Sequence, residues 1–277
     1  MSPEIQLNDP ATLYRRWEAS QWSPFEVDLA TDREQWPRLE DAERELIVFA
    51  LSSLMVAEER ITTKFSGLVG AQGSEEEATF LATQQVDEAR HMQFYARFQD
   101  EVVGAPDLIA RHVARARAHV SDAFRHIFDV ALVEAHERLV AAPADLEAKV
   151  RFVTLYHLVL EGTLGLTSFK FITDHLAARE LLPGFVAGYS KIHHDETRHI
   201  GYGVWWLRET VRDQPETAEV VRETLRELLP FVAESLSPPG GGAHVLGVEE
   251  DALREFALAG LTRRLGIIGV PIETVLA

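Results

Sequence analysis

One short phrase occurs twice in this chain of 277 residues, and it constrains the fold more than any other feature. The first copy is Asp87-Glu88-Ala89-Arg90-His91, and the second is Asp195-Glu196-Thr197-Arg198-His199. In each copy a glutamate precedes a histidine by three positions, which on a helix places both side chains on one face. One such pair often arises by chance. Two copies with the same flanking aspartate and arginine indicate one metal site shared by two helices.

Two further glutamates fit the same site. A bundle that holds two metal ions with a pair of Glu-x-x-His helices takes one more glutamate from each of two other helices. Glu58 lies 30 positions before Glu88, and Glu161 lies 35 positions before Glu196, with a turn region near the middle of each interval. Antiparallel packing of each hairpin therefore sets its two glutamates at one height, and stacking the hairpins places all the ligands in one layer.

Glu161 is the most informative of these residues, because the run 158–166 around it is otherwise uncharged. Burying an unpaired carboxylate costs several kcal/mol, so this side chain needs a cation or a proton partner. A buried ion pair is the alternative to a metal. The predicted metal ligands are Glu58, Glu88, His91, Glu161, Glu196 and His199. Asp87 and Asp195 are placed to accept the second ring N–H of the opposite histidine, with a solvated surface role as the alternative.

The remaining pattern is mostly helical. Apolar residues recur at helical spacing, and glycine and proline mark the breaks between helices. No segment shows sustained strand alternation, so the chain is predicted to be all-α. We expect one domain over 1–277, with a core at about 40–212, an N-terminal cover segment at 1–39 and C-terminal helices at 214–277. The glycine- and proline-rich patch at 237–242 is expected to be a turn.

The amino-acid composition restricts which binding partners and which metal ligands are expected. The formal net charge of −17 argues against nucleic-acid binding and against docking on anionic lipid. No apolar run is long enough for a transmembrane helix, and the N-terminus lacks the apolar region of a signal peptide, so a cytoplasmic location is expected. The chain has no cysteine, so a metal must be held by histidine and carboxylate, which suits Fe and Mn.

The segments that carry these residues resemble the ribonucleotide reductase small-subunit superfamily, and within it the ligand-binding oxidases. The resemblance covers roughly residues 40–210. It rests on the two copies of the repeated phrase and on Glu58-Glu59-Arg60-Ile61, Tyr156-His157-Leu158-Val159-Leu160-Glu161-Gly162 and Ile200-Gly201-Tyr202-Gly203. It implies a ferritin-like four-helix bundle core with additional helices, assembled as a homodimer.

The resemblance also implies a cofactor and a ligand. The family holds manganese and iron at a site that activates dioxygen, beside a hydrophobic tunnel that binds a long-chain fatty acid. Carried across, the manganese ligands would be Glu58, Glu88 and His91, with Glu88 bridging. The iron ligands would be Glu161, Glu196 and His199. The same ligands serve two iron ions, so Mn/Fe and Fe/Fe both stay open.

A tyrosine–valine ether cross-link, made by two-electron oxidation of the protein, is a further property that the resemblance implies. Tyr156, five residues before Glu161, matches the cross-linking tyrosine, with an ordinary core tyrosine as the alternative. The partner position, three residues after Glu58, holds Ile61 rather than valine. Isoleucine also has a tertiary Cβ–H bond, so we expect the cross-link to join Tyr156 and Ile61.

Tyr95 supports a second interpretation. It lies four residues after His91, where ribonucleotide reductase small subunits carry their radical tyrosine. A radical-generating reductase subunit is therefore an alternative, although residues 270–277 contain no tyrosine and no acidic tail of the kind that docks the catalytic subunit. An alternative from another class is iron storage in a ferritin-like shell, which the extra helices after residue 212 fit less well than a dimer.

Overall fold

A computed structural model of the chain describes residues 6–118, 120–236, 244–245 and 248–277. Within those ranges the backbone is mostly helical, and the prediction of an all-α fold is confirmed. Residues 1–5 of the expected cover segment and the expected turn at 237–242 lie outside the described residues.

The helices follow one another with short connections. They are α1 (Pro10–Ala19), α2 (Ala30–Gln35), α3 (Asp41–Lys64), α4 (Ser66–Gly70), α5 (Glu75–Phe98), α6 (Ile109–Ala116), α7 (Asp122–Arg125), α8 (Leu132–Ala141), α9 (Leu146–Val153), α10 (Leu166–Ala178), α11 (Pro183–Asp213), α12 (Thr217–Ser235), α13 (Glu250–Ile268) and α14 (Glu273–Leu276). A short 3-10 turn and three π-helical segments extend α2, α5, α7 and α9, at Trp36–Arg38, Gln99–Val103, His126–Ala131 and Thr154–Gly165. Before α13, β1 (His244–Val245) pairs antiparallel with β2 (Val248–Glu249).

Two long hairpins build the centre of the molecule. The first consists of α3 and α5, which pack along each other. α5 begins with Ser74 as its N-cap, because Ser74 Oγ accepts the Glu77 N–H at 3.2 Å. Its π-helical extension ends at Gly104, whose φ of +74° favours a residue without a Cβ. The second hairpin pairs α11 with α10 and with the π-helical segment that precedes α10.

The helical pattern of the sequence does not predict the π-helical segment Thr154–Gly165, which lies between α9 and α10. Where an α-helix widens into a π-helix, a carbonyl group loses its regular partner, and side chains can satisfy it. Thr163 Oγ1 donates to Leu158 O at 2.6 Å, and the guanidinium of Arg264 on α13 donates to Gly162 O. The segment therefore carries its glutamate on a widened turn that the C-terminal region supports.

A layer of polar side chains divides the hydrophobic core into two parts. Along α3, Phe65 belongs to one part and Met55 to the other, with Glu58 between them. Along α5 the order is reversed, because Phe80 belongs to the first part and Phe94 to the second. The antiparallel hairpins therefore meet the polar layer near the middle of their lengths.

Two outer regions cover this centre. α1 packs against α5 and α11, while α12 and α13 pack against the π-helical segment Thr154–Gly165. α13 ends at Gly269, which has a φ of +91°, and the short helix α14 follows it. None of the described helices combines the length and the apolar character needed to cross a lipid bilayer.

Candidate metal centre

The polar layer contains four glutamates and two histidines, all of them buried. α3 supplies Glu58, α5 supplies Glu88 and His91, the π-helical segment supplies Glu161, and α11 supplies Glu196 and His199. These are the six residues that the sequence analysis selected as metal ligands, and the structure brings all of them together.

The six side chains form two overlapping groups, each with ligand atoms within 4.8 Å of one another. The first is Glu58, Glu88, His91 and Glu196, and the second is Glu88, Glu161, Glu196 and His199. Glu88 Oε2 is 3.2 Å from His91 Nδ1, and Glu88 Oε1 is 3.3 Å from His199 Nδ1. Glu196 approaches the same two nitrogens with Oε1 at 3.5 Å and Oε2 at 3.6 Å. Glu196, like Glu88, therefore lies where its two oxygens face both ligand groups.

Several ligand atoms of this layer have no hydrogen-bond partner among the described residues. They are Glu58 Oε2, Glu161 Oε2, Glu196 Oε2, His91 Nδ1 and His199 Nδ1. A buried polar atom without a partner costs about 1–3 kcal/mol, so a cluster of such atoms favours the binding of cations. Carboxylate oxygen and imidazole nitrogen suit Mn and Fe. The cluster is thus able to hold a dinuclear metal site, of the Mn/Fe or the Fe/Fe kind.

Burial dominates the electrostatics of this layer. It raises the pKa of Glu58 to about 8 and raises the pKa of Glu161 and of Glu196 above the usual range. Burial also opposes ionisation of Glu88, but its close contacts with His199 and His91 outweigh it and hold the pKa of Glu88 well below its usual value. Despite burial, the surrounding carboxylates raise the pKa of both histidines. Without metal the layer therefore keeps protons that metal ions would displace.

Each histidine is oriented by the aspartate of the other repeated phrase. His91 Nε2 lies 3.3 Å from Asp195 Oδ2, and His199 Nε2 lies 3.1 Å from Asp87 Oδ2. Because an ionised carboxylate only accepts, each ring donates its Nε2–H and leaves Nδ1 facing the glutamates. Burial works against ionisation of Asp195, but its hydrogen bond and charge interaction with His91 hold the pKa of Asp195 below its usual range.

Two tryptophans of the N-terminal segment bind the same aspartates. Trp17 Nε1 donates to Asp87 Oδ1 at 2.9 Å, and Trp22 Nε1 donates to Asp195 Oδ2 at 2.8 Å. The buried Arg198 donates to both aspartates. The sequence analysis did not identify the two tryptophan contacts, since each joins residues far apart in the chain. The N-terminal segment therefore closes the outer side of both histidines.

Gln84, which sequence reasoning missed, and His157 are two further residues of the site, and both are fully buried. Gln84 Nε2 donates to Glu161 Oε1 at 2.9 Å, and His157 Nε2 lies 3.3 Å from Gln84 Oε1. Burial and the neighbouring His199 lower the pKa of His157 to about 3, so its ring is neutral. A signal was present for Gln84, which lies four residues before Glu88 on the same helix face.

The residues expected to take part in oxidation lie beside the ligand cluster. Tyr156 OH donates to Glu88 Oε1 at 2.8 Å. Ile61, nearly one helical turn after Glu58, is buried and lines the same cavity as that glutamate. Tyr95 is fully buried, and its hydroxyl has no hydrogen-bond partner within the described part of the chain.

A cavity of about 500 Å³ reaches the polar layer, where Glu58, Glu161 and Glu196 line it. The rest of its wall is mostly apolar and comes largely from α3, the π-helical segment Thr154–Gly165 and α10. Its volume lies within the ~300–1,000 Å³ that is usual for small-molecule sites. The arrangement therefore joins a candidate metal centre to a space that can hold an apolar ligand.

Known proteins match this chain in sequence and in fold. The sequence model of a family described as ribonucleotide reductase, small chain, matches residues 3–271. A mutant R2-like ligand-binding oxidase with an aerobically reconstituted Mn/Fe cofactor has a TM-score of 0.82 at 24% sequence identity, covering 94% of this chain and 93% of that chain. Another mutant of an R2-like ligand-binding oxidase, with an anaerobically reconstituted Mn/Fe cofactor, has a TM-score of 0.82 at 25% sequence identity, covering 94% of this chain and 93% of that chain. These matches confirm the predicted ferritin-like bundle with additional helices.

Proposed function

The chain belongs to the ribonucleotide reductase small-chain family, and from this membership and the buried ligand cluster we propose that it is a dinuclear metal oxidase that activates dioxygen. The observation that carries the proposal is the pair Glu88 and Glu196, each shared by two ligand groups that an apolar cavity reaches. Structural metal sites have no need of such a cavity, whereas an oxidase needs a space for its oxidant and its substrate.

The proposed ligands divide between the two metals. Manganese would be held by Glu58, Glu88 and His91, and iron by Glu161, Glu196 and His199, with Glu88 bridging. Two iron ions would take the same ligands. When bound, the metal pair would supply two of the four electrons that reduce dioxygen to water, and oxidation of an organic group would supply the other two. The chain itself holds the ligands in place through the aspartates, and its core excludes water.

We also propose that the cavity binds a long-chain fatty acid with its carboxylate toward the metals. Among the described residues that line the cavity there is no lysine or arginine to neutralise an anionic head group. Glu58, Glu161 and Glu196 would repel such a head group unless cations lay between them and it. Fatty acid should therefore be found in extracts of metal-loaded protein and be depleted in protein treated with a chelator. Equal amounts in both preparations would contradict this orientation.

Tyr156 and Ile61 are the proposed positions of internal oxidation. Ether formation would break the Tyr156 O–H bond and the tertiary Cβ–H bond of Ile61, and would form one C–O bond. The protein would lose two electrons and two protons, with dioxygen as the oxidant. The hydrogen bond of 2.8 Å from Tyr156 OH to Glu88 Oε1 gives the phenolic proton an acceptor.

Mass spectrometry tests this proposal. Metal-free protein is loaded with Mn and Fe in air, and intact mass and peptides are compared before and after. We expect a loss of two hydrogens and a joined peptide that contains Ile61 and Tyr156. Tyr156→Phe should bind the same metals without the loss, and Ile61→Leu should also lack it, because its tertiary C–H bond is one carbon further out. A fully loaded wild-type protein of unchanged mass would contradict the cross-link and direct the search to an external substrate.

A radical-generating reductase subunit is the second candidate, and Tyr95 favours it. This tyrosine lines the cavity and is fully buried, and burial raises its pKa well above the usual value, with a smaller contribution from the nearby charges of Glu58 and Glu196. If this candidate is right, aerobic loading should give a tyrosyl radical signal in electron paramagnetic resonance that is absent from Tyr95→Phe. A cross-linked protein without that signal would exclude it.

Assembly and location remain proposals too. We propose a homodimer in the cytoplasm, by analogy with the family. Sedimentation of the purified protein should give the mass of two chains. A shell of many subunits would instead favour iron storage.

A further inference from the structure

The two halves of the metal centre are built from repeated sequence, but two pairs of equivalent positions differ in chemistry. The residue four positions before Glu88 is Gln84, and the residue four positions before Glu196 is Ile192. Both are fully buried. The same comparison pairs His157, four positions before Glu161, with Leu54, four positions before Glu58. Glutamine and histidine, Gln84 and His157, therefore occupy positions whose equivalents are the aliphatic residues Ile192 and Leu54.

The polar pair fixes one oxygen of a proposed metal ligand. Gln84 Nε2 lies 2.9 Å from Glu161 Oε1, and a carboxylate can only accept, so the amide group must face it with its NH₂ side. The Gln84 carbonyl oxygen then faces His157 Nε2 at 3.3 Å, which requires this neutral ring to carry its proton there. Gly203 leaves room for the ring, because a Cβ at that position would lie 2.2 Å from His157 Cβ.

Glu58, the equivalent carboxylate of the other half, has no such support. Its Oε2 has no hydrogen-bond partner among the described residues, and its Oε1 is 3.6 Å from His91 Nδ1, itself a proposed ligand atom. Leu54 and Glu58 both line the cavity, so this carboxylate borders open space. Both of its oxygens are therefore free to turn toward a metal ion, whereas Glu161 has only Oε2 without a partner.

We propose that Gln84 is a positioning residue that makes the two metal positions unequal. It would restrict Glu161 to coordinating a metal ion through one oxygen, whereas Glu58 would be free to coordinate through one oxygen or two. This inference rests on the proposed dinuclear site. A protein selects among first-row metal ions of similar affinity mainly through the geometry of its ligands. The metal position at Glu161 and His199 would therefore discriminate between manganese and iron more strongly than the metal position at Glu58 and His91.

The test compares Gln84→Met with wild type. Methionine keeps the length of the side chain and removes the amide donor. Each protein is loaded without air with equal amounts of Mn²⁺ and Fe²⁺, and anomalous diffraction at both absorption edges gives the occupancy of each metal at each position. A separate titration with Mn²⁺ alone gives the two affinities. Gln85→Met is the matched control, because the neighbouring Gln85 donates to Thr62 O at 3.0 Å and takes no part in the cluster.

In Gln84→Met we expect affinity at the Glu161 and His199 position to fall about 10–100-fold, as is usual on loss of a partner of a metal ligand. The other position should change far less, and Gln85→Met should resemble wild type. The reciprocal variant Ile192→Gln should bring the metal preferences of the two positions closer together. If Gln84→Met does not fold, His157→Phe, which frees the Gln84 amide to rotate, should lower the metal affinity of the same position.

Two failures can be told apart. A wild-type protein that binds no metal pair would overturn the proposed function. A wild-type protein that binds two ions, with a variant whose positions keep their affinities or lose them equally, would overturn only the role of Gln84.

Discussion

Replacing Glu58 with glutamine should stabilise the metal-free protein while impairing the metal-bound one. Burial raises the pKa of Glu58 from its ordinary 4.5 to about 8, so the folded chain binds this proton more tightly than the unfolded chain does. The stability of the metal-free protein therefore falls as the pH rises between those two values. At 1.36 kcal/mol for each pH step, the raised pKa of Glu58 lowers the unfolding free energy, relative to its value at low pH, by about 3 kcal/mol at pH 7 and about 4 kcal/mol at pH 8.

Glutamine keeps the shape of the side chain without its charge. Metal-free Glu58→Gln should therefore be more stable than wild type by about 3–4 kcal/mol near pH 8 and by less than about 1 kcal/mol near pH 5. Urea unfolding across this pH range after chelator treatment measures the difference. Glu59→Gln is the control, because the Glu59 side chain is 31% exposed and pairs with Arg117 at the surface.

Binding of metal ions should reverse the order of stability, so that wild type becomes more stable than Glu58→Gln. They bind the folded state and stabilise it by mass action, and an amide is a poorer ligand than a carboxylate for Mn or Fe. Wild type should gain more stability on loading than Glu58→Gln does. The reasoning would be refuted if metal-free Glu58→Gln were no more stable than wild type near pH 8, or if the difference were the same near pH 5.

Three further predictions concern single side chains. Asp195→Asn should weaken metal binding at His91 by about 10–100-fold in chelator competition, because the ring loses its charged acceptor; unchanged affinity would contradict this. Leu54→Phe, which narrows the cavity without removing a ligand, should lower fatty-acid affinity about tenfold at constant metal content, whereas a parallel loss of metal would show wider damage. Tyr156→Phe should reduce the unfolding free energy of the metal-free protein by about 1–3 kcal/mol, because a buried hydrogen bond to Glu88 is lost; no change in urea unfolding would argue against that bond.

The sequence was informative where a repeat or a strong local pattern determined the structure. Long amphipathic helices and their breaks predicted the all-α fold. The two copies of one phrase, with the isolated charge of Glu161, led to the six residues that the structure brings together. The hairpin lengths supplied the pairing of Glu58 with Glu88, because antiparallel helices of similar length meet at equal distances from their turn.

The features that the sequence did not predict depend on tertiary packing between distant parts of the chain. Nothing in the composition of Thr154–Gly165 distinguishes a π-helix from an α-helix, since the hydrogen bonds that support it come partly from Arg264. The contacts of Trp17 with Asp87 and of Trp22 with Asp195 join residues 70 and 173 positions apart, and they follow from how the N-terminal segment packs. The role of Gln84 could have been suspected by comparing the two copies beyond the phrase itself.

The central claim, a dinuclear metal site, is tested most directly by counting metal ions. Purified metal-free protein is titrated without air with Mn²⁺ and Fe²⁺, desalted, and its metal content measured by mass spectrometry beside a Glu88→Gln, Glu196→Gln double variant. We predict about two ions per wild-type chain and a large loss in the double variant, because both shared carboxylates are removed. A wild-type chain that retains one ion or none, or a double variant that retains two, would contradict the account.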